Sequence, residues 1–298
     1  GILSNMLNSL GCQIRSILRR GETPPEPNPE DPQKAVLLAI PFFHATGSFA
    51  VLAPATVTDP DVESIAVPGY GFLQTSPEYQ MKRLLSAGAP SIYQLGPVFR
   101  HEERGRLHNP EFTMLEWYRL GFDDRLLMQE VADLVALVLG PDTVHTVTYQ
   151  QLIGESLDQN SAERSDVDLR FAEACEGLNP GRFFVVDYPA DQAALARLRP
   201  DNPSVAARFE LIIDGIEIAN GYWELLDPVE HERRFAADRA LRRARGLVDI
   251  EPDRPFIRAL QTGLPDCSGV ALGVDRLLML AQKAARIDAV IQGPEISS

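Results

Sequence analysis

The stretch from 91 to 119 constrains the fold more than any other part of the chain. Two runs, "SIYQLGPVFR" at 91–100 and "EFTMLEWYR" at 111–119, are rich in aromatic and apolar residues and flank about ten charged or polar ones. Such runs predict two antiparallel strands, joined by a loop longer than the two to five residues that hairpins usually need. A connection of that length, crowded with charge and carrying His101 and His108, predicts a functional loop. Period-two alternation puts Phe112, Met114, Glu116 and Tyr118 on one face of the second strand, and Thr113, Leu115, Trp117 and Arg119 on the other. The first face combines a flat ring, a carboxylate and a phenol, with Arg100 at the loop base and Glu102, His108 and Asn109 in the loop. That set is able to stack a base, hold a phosphate and attract an ammonium group. A solvated loop over an ordinary core strand would use the same residue types.

The flanking sequence places this hairpin in a larger pattern. Leu3, Met6, Leu7, Leu10, Ile14, Ile17 and Leu18 recur at helical spacing, and "ETPPEPNPEDP" then predicts an exposed linker over 22–34. Residues 35–69 carry mixed signals. "YGFLQTS" at 70–76 is strand-like, "PEYQMKRLLSAG" at 77–88 predicts a helix opening on proline, and 125–139 predicts an amphipathic helix. "RFELII" and "IEIANGYWEL" flank Asp214-Gly215, which suits a two-residue type I′ turn. A charged helix follows over 228–245, and the strand "CSGVALGV" then runs into the helix "DRLLMLAQKA". Antiparallel strands with surrounding helices indicate an α+β fold without internal repeats.

Two further groups carry candidate chemistry. Asp275 is expected to cap the last helix, and Arg276 beside it puts a cation at the positive end of the helix dipole, where a bound phosphate would offset the cost. Gly269 and Gly273 would let a ligand approach the backbone, although close packing of strand on helix explains them as well. Glu217 and Glu224, seven apart, have opposite strand parity. A bulge at Asn220-Gly221 is expected to bring both to one side, where two acids suit Mg²⁺ and an amine; two separately solvated acids are the alternative.

Bulk properties exclude other classes. A net charge of −14 disfavours stable binding to a nucleic-acid backbone. Cys12, Cys175 and Cys267 form neither an even set nor a C-x-x-C pair, so no disulfide framework or zinc site is implied. The most apolar run, residues 35–43, contains Pro41 and falls far short of the roughly 20 residues that span a bilayer.

"FRHEE" at 99–103, "HNPEFTMLEWYR" at 108–119 and "GVALGVDRLLML" at 269–280 resemble motifs 2 and 3 of the class II aminoacyl-tRNA synthetases, in the lysyl branch. "TSPEYQMKRLL" and "GIEIANGYWELLD" resemble that branch's amino-acid-binding segments. "SPEYQMKRLL", "TMLEWYR" and "PDCSGVALGVDRL" are similar to the branch members that attach β-lysine to elongation factor P. The match covers most of 70–122 and 205–290. The resemblance implies a class II synthetase-like antiparallel sheet flanked by helices, in one catalytic domain over 1–298. Within it 22–69 is atypical, 143–206 is a small insertion, and no anticodon-binding OB domain is expected. The family's first motif is matched only by "QIRSILRRGETP" at 13–24, with "ATVTD" at 55–59 the next recognisable piece.

The resemblance also implies chemistry. The expected enzyme is an ATP-dependent ligase that activates (R)-β-lysine or lysine as an acyl-adenylate and transfers it to a lysine of elongation factor P. Catalytic roles fall to Arg100, Glu217, Glu224 and Arg276. Arg100 would hold the α-phosphate and the substrate carboxylate, with adenine between Phe112 and Arg276. His101, Glu102, His108, Asn109, Ile218 and Gly273 would contact the nucleotide, and Glu217 and Glu224 would hold Mg²⁺. Ser76, Pro77, Glu78, Glu116, Tyr118, Glu224 and Ala271 would form the amino-acid site; Ala271 stands where lysyl-tRNA synthetases typically have glycine. A cytoplasmic homodimer that binds neither tRNA nor membrane is expected. Other readings are a lysyl-adenylate-forming enzyme with another acceptor, such as a truncated lysyl-tRNA synthetase or a dinucleoside polyphosphate synthase, and a catalytically inactive regulatory paralogue.

Overall fold

The hairpin expected at 91–119 forms. β5 (Ile92–Phe99) and β6 (Glu111–Leu120) pair antiparallel from Ile92 opposite Tyr118 to Phe99 opposite Glu111. The computed structural model describes residues 44–45, 50–101, 104–154 and 164–291, so the helix expected over 3–18, the linker at 22–34 and Glu102 lie outside the described residues. β1 (His44–Ala45) runs parallel to β5 at one edge of the main sheet. β2 (Leu52–Ala53), β3 (Ala66–Val67) and β4 (Gly71–Leu73) make a separate three-stranded sheet, the first two in the stretch of mixed signals and β4 within the strand expected at 70–76.

The second expected hairpin joins β9 (Val205–Ile213) to β10 (Ile216–Trp223). Asp214 and Gly215 have φ of 49° and 77°, both positive as a type I′ turn demands. Beyond β6 the sheet continues through β11 (Cys267–Gly273), β10 and β9 to β8 (Arg182–Pro189) and β7 (Val144–Thr148), eight strands in all. All of its pairings are antiparallel except the two outermost. Strands from within 143–206 are therefore continuous with the main sheet.

The bulge in β10 lies at Ile218, between Glu217 and Ala219, and not at Asn220-Gly221 as the sequence suggested. Asn220 and Gly221 stay in regular register with both neighbouring strands. Gly221 answers a different need. A Cβ there would sit 2.3 Å from the Phe209 ring and 3.0 Å from the Gly269 carbonyl, so only glycine lets strand and core meet.

One face of the sheet is packed over its middle strands. Trp117, Phe209, Leu211, Val270 and Leu272 pack there against Leu127, Val131 and Val135 of α2 (Asp124–Leu139), and the last helix adds Leu277. Each such side chain contributes roughly 1.5–3 kcal/mol by leaving water. The other face is covered only at its ends. Met81 and Leu85 of α1 (Glu78–Ser86), Phe235 of α5 (Pro228–Ala244) and Phe256 of α6 (Arg254–Thr262) close one end around Tyr118. Tyr149 of α3 (Tyr149–Ile153) and Cys175 of α4 (Arg164–Glu176) close the other around Val185 and Ile212. The middle of that face is left open. α6 was not anticipated, although Asp253 capping the Phe256 amide and Gly263 at its end are standard helix signals. Among the described residues no helix is long and apolar enough to cross a membrane.

Gly221→Ala should destabilise the protein by about 1–3 kcal/mol through overpacking against Phe209. Chemical denaturation checks this, and adding Phe209→Leu, which vacates the space, should recover part of the loss.

Candidate active site

The open middle of the sheet is the floor of a cavity of about 900 Å³. β6 contributes Phe112, Met114, Glu116 and Tyr118, as its alternation required, while β11 contributes Gly269, Ala271 and Gly273. The Ile218 bulge reverses the parity of β10, so that Glu217, Asn220, Tyr222 and the following Glu224 all face the cavity. Arg100, His108 and Asn109 enter from the long loop, Ser76 and Glu78 from the start of α1, and Ile218 and Arg276 also line it. His101 and Pro77 do not line the cavity: His101 is exposed, with its amide bonded to the Glu63 carbonyl, and Pro77 is buried at the α1 N-cap.

One end of the cavity is cationic. Arg276 lies in the first turn of α7 (Val274–Ala281) and is held on every side. It donates to the Glu217 carbonyl at 3.0 Å, to Glu217 Oε2 at 3.1 Å and to the Leu107 carbonyl at 3.2 Å. His108 Nε2 accepts a further bond at 2.7 Å, since a guanidinium can only donate. The Arg100 guanidinium lies 5.3 Å from the centre of the Phe112 ring. Asp275 does not cap this helix. Gly273 occupies the N-cap, and the Asp275 carboxylate accepts from the Thr113 amide at 2.6 Å, tying α7 to β6. Burial would raise Glu217, but the charges of Arg276 and Arg100 outweigh it and hold this carboxyl below its usual range.

The other end is anionic and buried. Glu116 Oε1 accepts from the Tyr118 hydroxyl at 2.8 Å, while its Oε2 is buried without a hydrogen-bond partner. Ser76 Oγ accepts from the Glu78 amide at 2.9 Å and fixes the start of α1. Lys82, one turn further along α1 and wholly buried, pairs with Glu78 at 2.5 Å and with Glu224 Oε2 at 2.6 Å. Burial, then the charge of Glu78, push Glu116 up to about 8 against the pull of Tyr118, Ser76 and Lys82. Burial likewise raises Glu224 to about 7, although Lys82 opposes it.

Sequence reasoning missed three residues. Lys82 read as an ordinary helix lysine, although its spacing of four from Glu78 was a signal. Arg208 and Glu210 read only as part of a strand, although alternation puts both on the cavity face with Ile212. Arg208 donates to Glu210 at 2.6 Å and lies 4.3 Å over the Tyr188 ring. Asn220 Nδ2 donates to Glu210 at 3.2 Å, and its Oδ1 is buried without a partner. Burial raises Glu210 to about 7, with Arg208 opposing and the charge of Glu217 adding to the rise. Glu217 is thus flanked by Glu210, whereas Glu224, its expected companion, is engaged with Lys82 and Glu78.

The raised carboxyls have a consequence for stability. Between the usual 4.5 and about 8 the folded protein holds protons on Glu116 that the unfolded chain has lost. Glu116 therefore contributes stability at low pH that drains away as pH rises through this window. Glu116→Gln should raise the melting temperature of the ligand-free protein more at pH 8 than at pH 6, as thermal scans would show; an equal effect at both would contradict the assignment.

Comparison with known proteins adds to this geometry. A family model described as tRNA synthetases class II (D, K and N) matches residues 49–297. A protein of Vibrio vulnificus named elongation factor P (R)-β-lysine ligase is 43% identical over 304 residues, covering 88% of this chain and 94% of the relative. A protein of the same name from Vibrio cholerae is 43% identical over 82% of this chain and 86% of the relative. Another, from Yersinia enterocolitica, is 43% identical over 85% and 90%. With a matching family model over most of its length and an antiparallel sheet that places the motif residues round one cavity, this chain belongs to the class II tRNA synthetases of the D, K and N group.

Proposed function

We propose that this protein is an ATP-dependent ligase that activates (R)-β-lysine, or lysine, as an acyl-adenylate and transfers it to a lysine side chain of elongation factor P. The observation that carries the reading is the division of one cavity into a cationic end at Arg100 and Arg276 and a buried anionic end at Glu78, Glu116 and Glu224. The first suits a nucleotide triphosphate and the second a diamine. The relatives, named as ligases of elongation factor P, suggest the acceptor.

The chemistry asks for no enzyme nucleophile. The substrate carboxylate oxygen attacks the α-phosphorus of ATP, the bond to the β-phosphate oxygen breaks, and pyrophosphate leaves. Arg100, which lines the cavity beside Phe112, would hold both anions and offset charge developing at phosphorus. Phe112 and Arg276 offer planar faces for adenine, with His108, Asn109, Ile218 and Gly273 around them. The acceptor amine, once deprotonated, then attacks the acyl carbon, forming an amide as AMP departs. Both reactants place the reaction in the cytoplasm. By the same family resemblance we read the working form as a homodimer, which sedimentation would check.

Mg²⁺ fits the donors present. Glu217 and Glu210 lie close enough for each charge to act on the other, and the partnerless Asn220 Oδ1 adds a third hard oxygen. Mg²⁺ is usually held by one or two carboxylates plus substrate phosphates, in keeping with the absence, among the described residues, of any larger His, Cys, Asp and Glu cluster able to hold a metal. We assign the ion to Glu217 and Glu210 in place of Glu224, whose ion pair with Lys82 commits it to the anionic end. When bound, Mg²⁺ would supply Lewis-acid polarisation of the phosphates.

ATP–pyrophosphate exchange dependent on a lysine isomer should appear without tRNA, and Arg100→Ala should lower it on the order of 100-fold or more while the fold survives. Exchange that requires tRNA, or near-normal exchange in Arg100→Ala, would sink the reading.

Ala271 generates a second expectation. It sits on β11 opposite Glu116 on one side and Asn220 on the other, so its methyl narrows the cavity floor. Ala271→Gly should raise kcat/KM for α-lysine relative to β-lysine by roughly 10- to 200-fold, the value of one methylene-sized change. An unchanged ratio would place isomer choice elsewhere.

A further inference from the structure

The anionic end contains its own cation. Lys82 is wholly buried on α1, between Glu78 at 2.5 Å and Glu224 at 2.6 Å, with its ammonium 5.9 Å from the centre of the Tyr118 ring. A buried lysine is costly unless its charge is met, and removing one partner of such a pair leaves the other uncompensated. Three carboxylates, those of Glu78, Glu116 and Glu224, gather round this one ammonium, so the fully ionised pocket is short of two positive charges. Three buried carboxylate oxygens, Glu116 Oε2 and both of Glu224, also lack a hydrogen-bond donor, although Lys82 lies 2.6 Å from Glu224 Oε2. Ammonium groups would supply both the missing charge and the missing donors.

We infer that Lys82 is a specificity-determining residue that acts through Glu78 and Glu224: by neutralising one of three carboxylates it sets the pocket to receive two ammonium groups. A substrate with two amines satisfies both the charges and the orphan oxygens. A substrate with a single amine leaves one buried carboxylate without a partner, and a site built to bond a group rejects the analogue that lacks it far more strongly than a missing methylene is rejected. Lys82 also offsets the mutual repulsion of Glu78 and Glu224 and holds both carboxylates in place. The inference rests on the proposed amino-acid substrate and specifies how that substrate is chosen.

The test is a charge-balance cycle on the full chain. Binding of lysine, of (R)-β-lysine and of norleucine, which lacks the second amine, is measured by calorimetry at pH about 8.5, where carboxylates ionise and aliphatic amines stay largely protonated. Wild type should prefer the diamino acids by on the order of 100-fold or more. Glu78→Gln leaves a deficit of one charge, and the preference should fall at least about 10-fold. Glu78→Gln with Lys82→Met restores the deficit of two, and the preference should return to within roughly threefold of wild type, a non-additive recovery that marks direct coupling. A double variant that stays as unselective as Glu78→Gln overturns the inference, as does a wild type without preference. Should the double variant not fold, because Lys82→Met also takes the partner of Glu224, Glu78→Gln alone decides, and a preference equal to that of wild type overturns the inference. Pyrophosphate exchange is measured alongside: absent exchange with the binding preference intact refutes the proposed reaction and leaves the role of Lys82 standing.

Discussion

A β-strand turns successive side chains to opposite faces, and the whole site depends on one break in that rule. β10 lies between β9 and β11, with its ladder intact on both sides from Ala219 onward. Without the extra residue at Ile218, the face carrying Glu217 would continue through Ala219 and Gly221 and not through Asn220, Tyr222 and Glu224. Either Glu217 or that second group would then be driven into the core beneath α2, among Phe209, Leu211 and Val270. Burying an unpaired carboxylate there costs several kcal/mol, more than a regular ladder gains by closing one bulge. The bulge is thus held in place by the charges on either side of it.

Once the polar groups share a face, their surroundings separate them by function. Glu217, Glu224 and Glu116 are the same functional group within one cavity, yet they ionise differently. Two guanidiniums act on Glu217 and keep it charged at any physiological pH. Glu116 and Glu224 lie where protein has replaced water and one lysine serves several acids, so they hold protons near neutrality. A cationic ligand reverses that condition by supplying the missing charge. The floor is rigid because Asp275 binds α7 to β6 and because Gly221 and Gly269 allow the strands and Tyr118 to meet without a side chain between them. Positive and negative ends are therefore held ready before any ligand arrives, which is the arrangement that electrostatic catalysis requires.

Both hairpins were legible because their signals are local. Alternation along "EFTMLEWYR" sorted Phe112, Glu116 and Tyr118 from Trp117, and Asp214-Gly215 specified a turn with two positive φ angles. The motif residues Arg100, His108, Asn109 and Arg276 were legible by resemblance, and they do meet in one cavity. Other features failed to show for a common reason. The bulge was sought at Asn220-Gly221 because glycine often marks one, but that glycine is there for a contact with Phe209, 12 residues away in sequence and opposite it only once the sheet has formed. Asp275 has the composition of a helix cap, but the nearby Thr113 amide claimed its carboxylate.

By itself, then, the sequence determined what depends on neighbours along the chain: strand periods, turn chemistry, helix faces and the presence of a charged loop between two strands. Tertiary structure alone decided which charges meet. Lys82 is 142 residues from Glu224, and Glu217 is 59 from Arg276, yet each pair lies within ion-pair distance. Pairing of this kind depends on the folded distance and on the exclusion of water, because a carboxylate in solvent gains little from a distant cation and the same carboxylate in the protein interior gains or loses a proton over it. Neither quantity is written in residue order, so that Glu217 meets guanidiniums and Glu224 an ammonium was decided only by the fold.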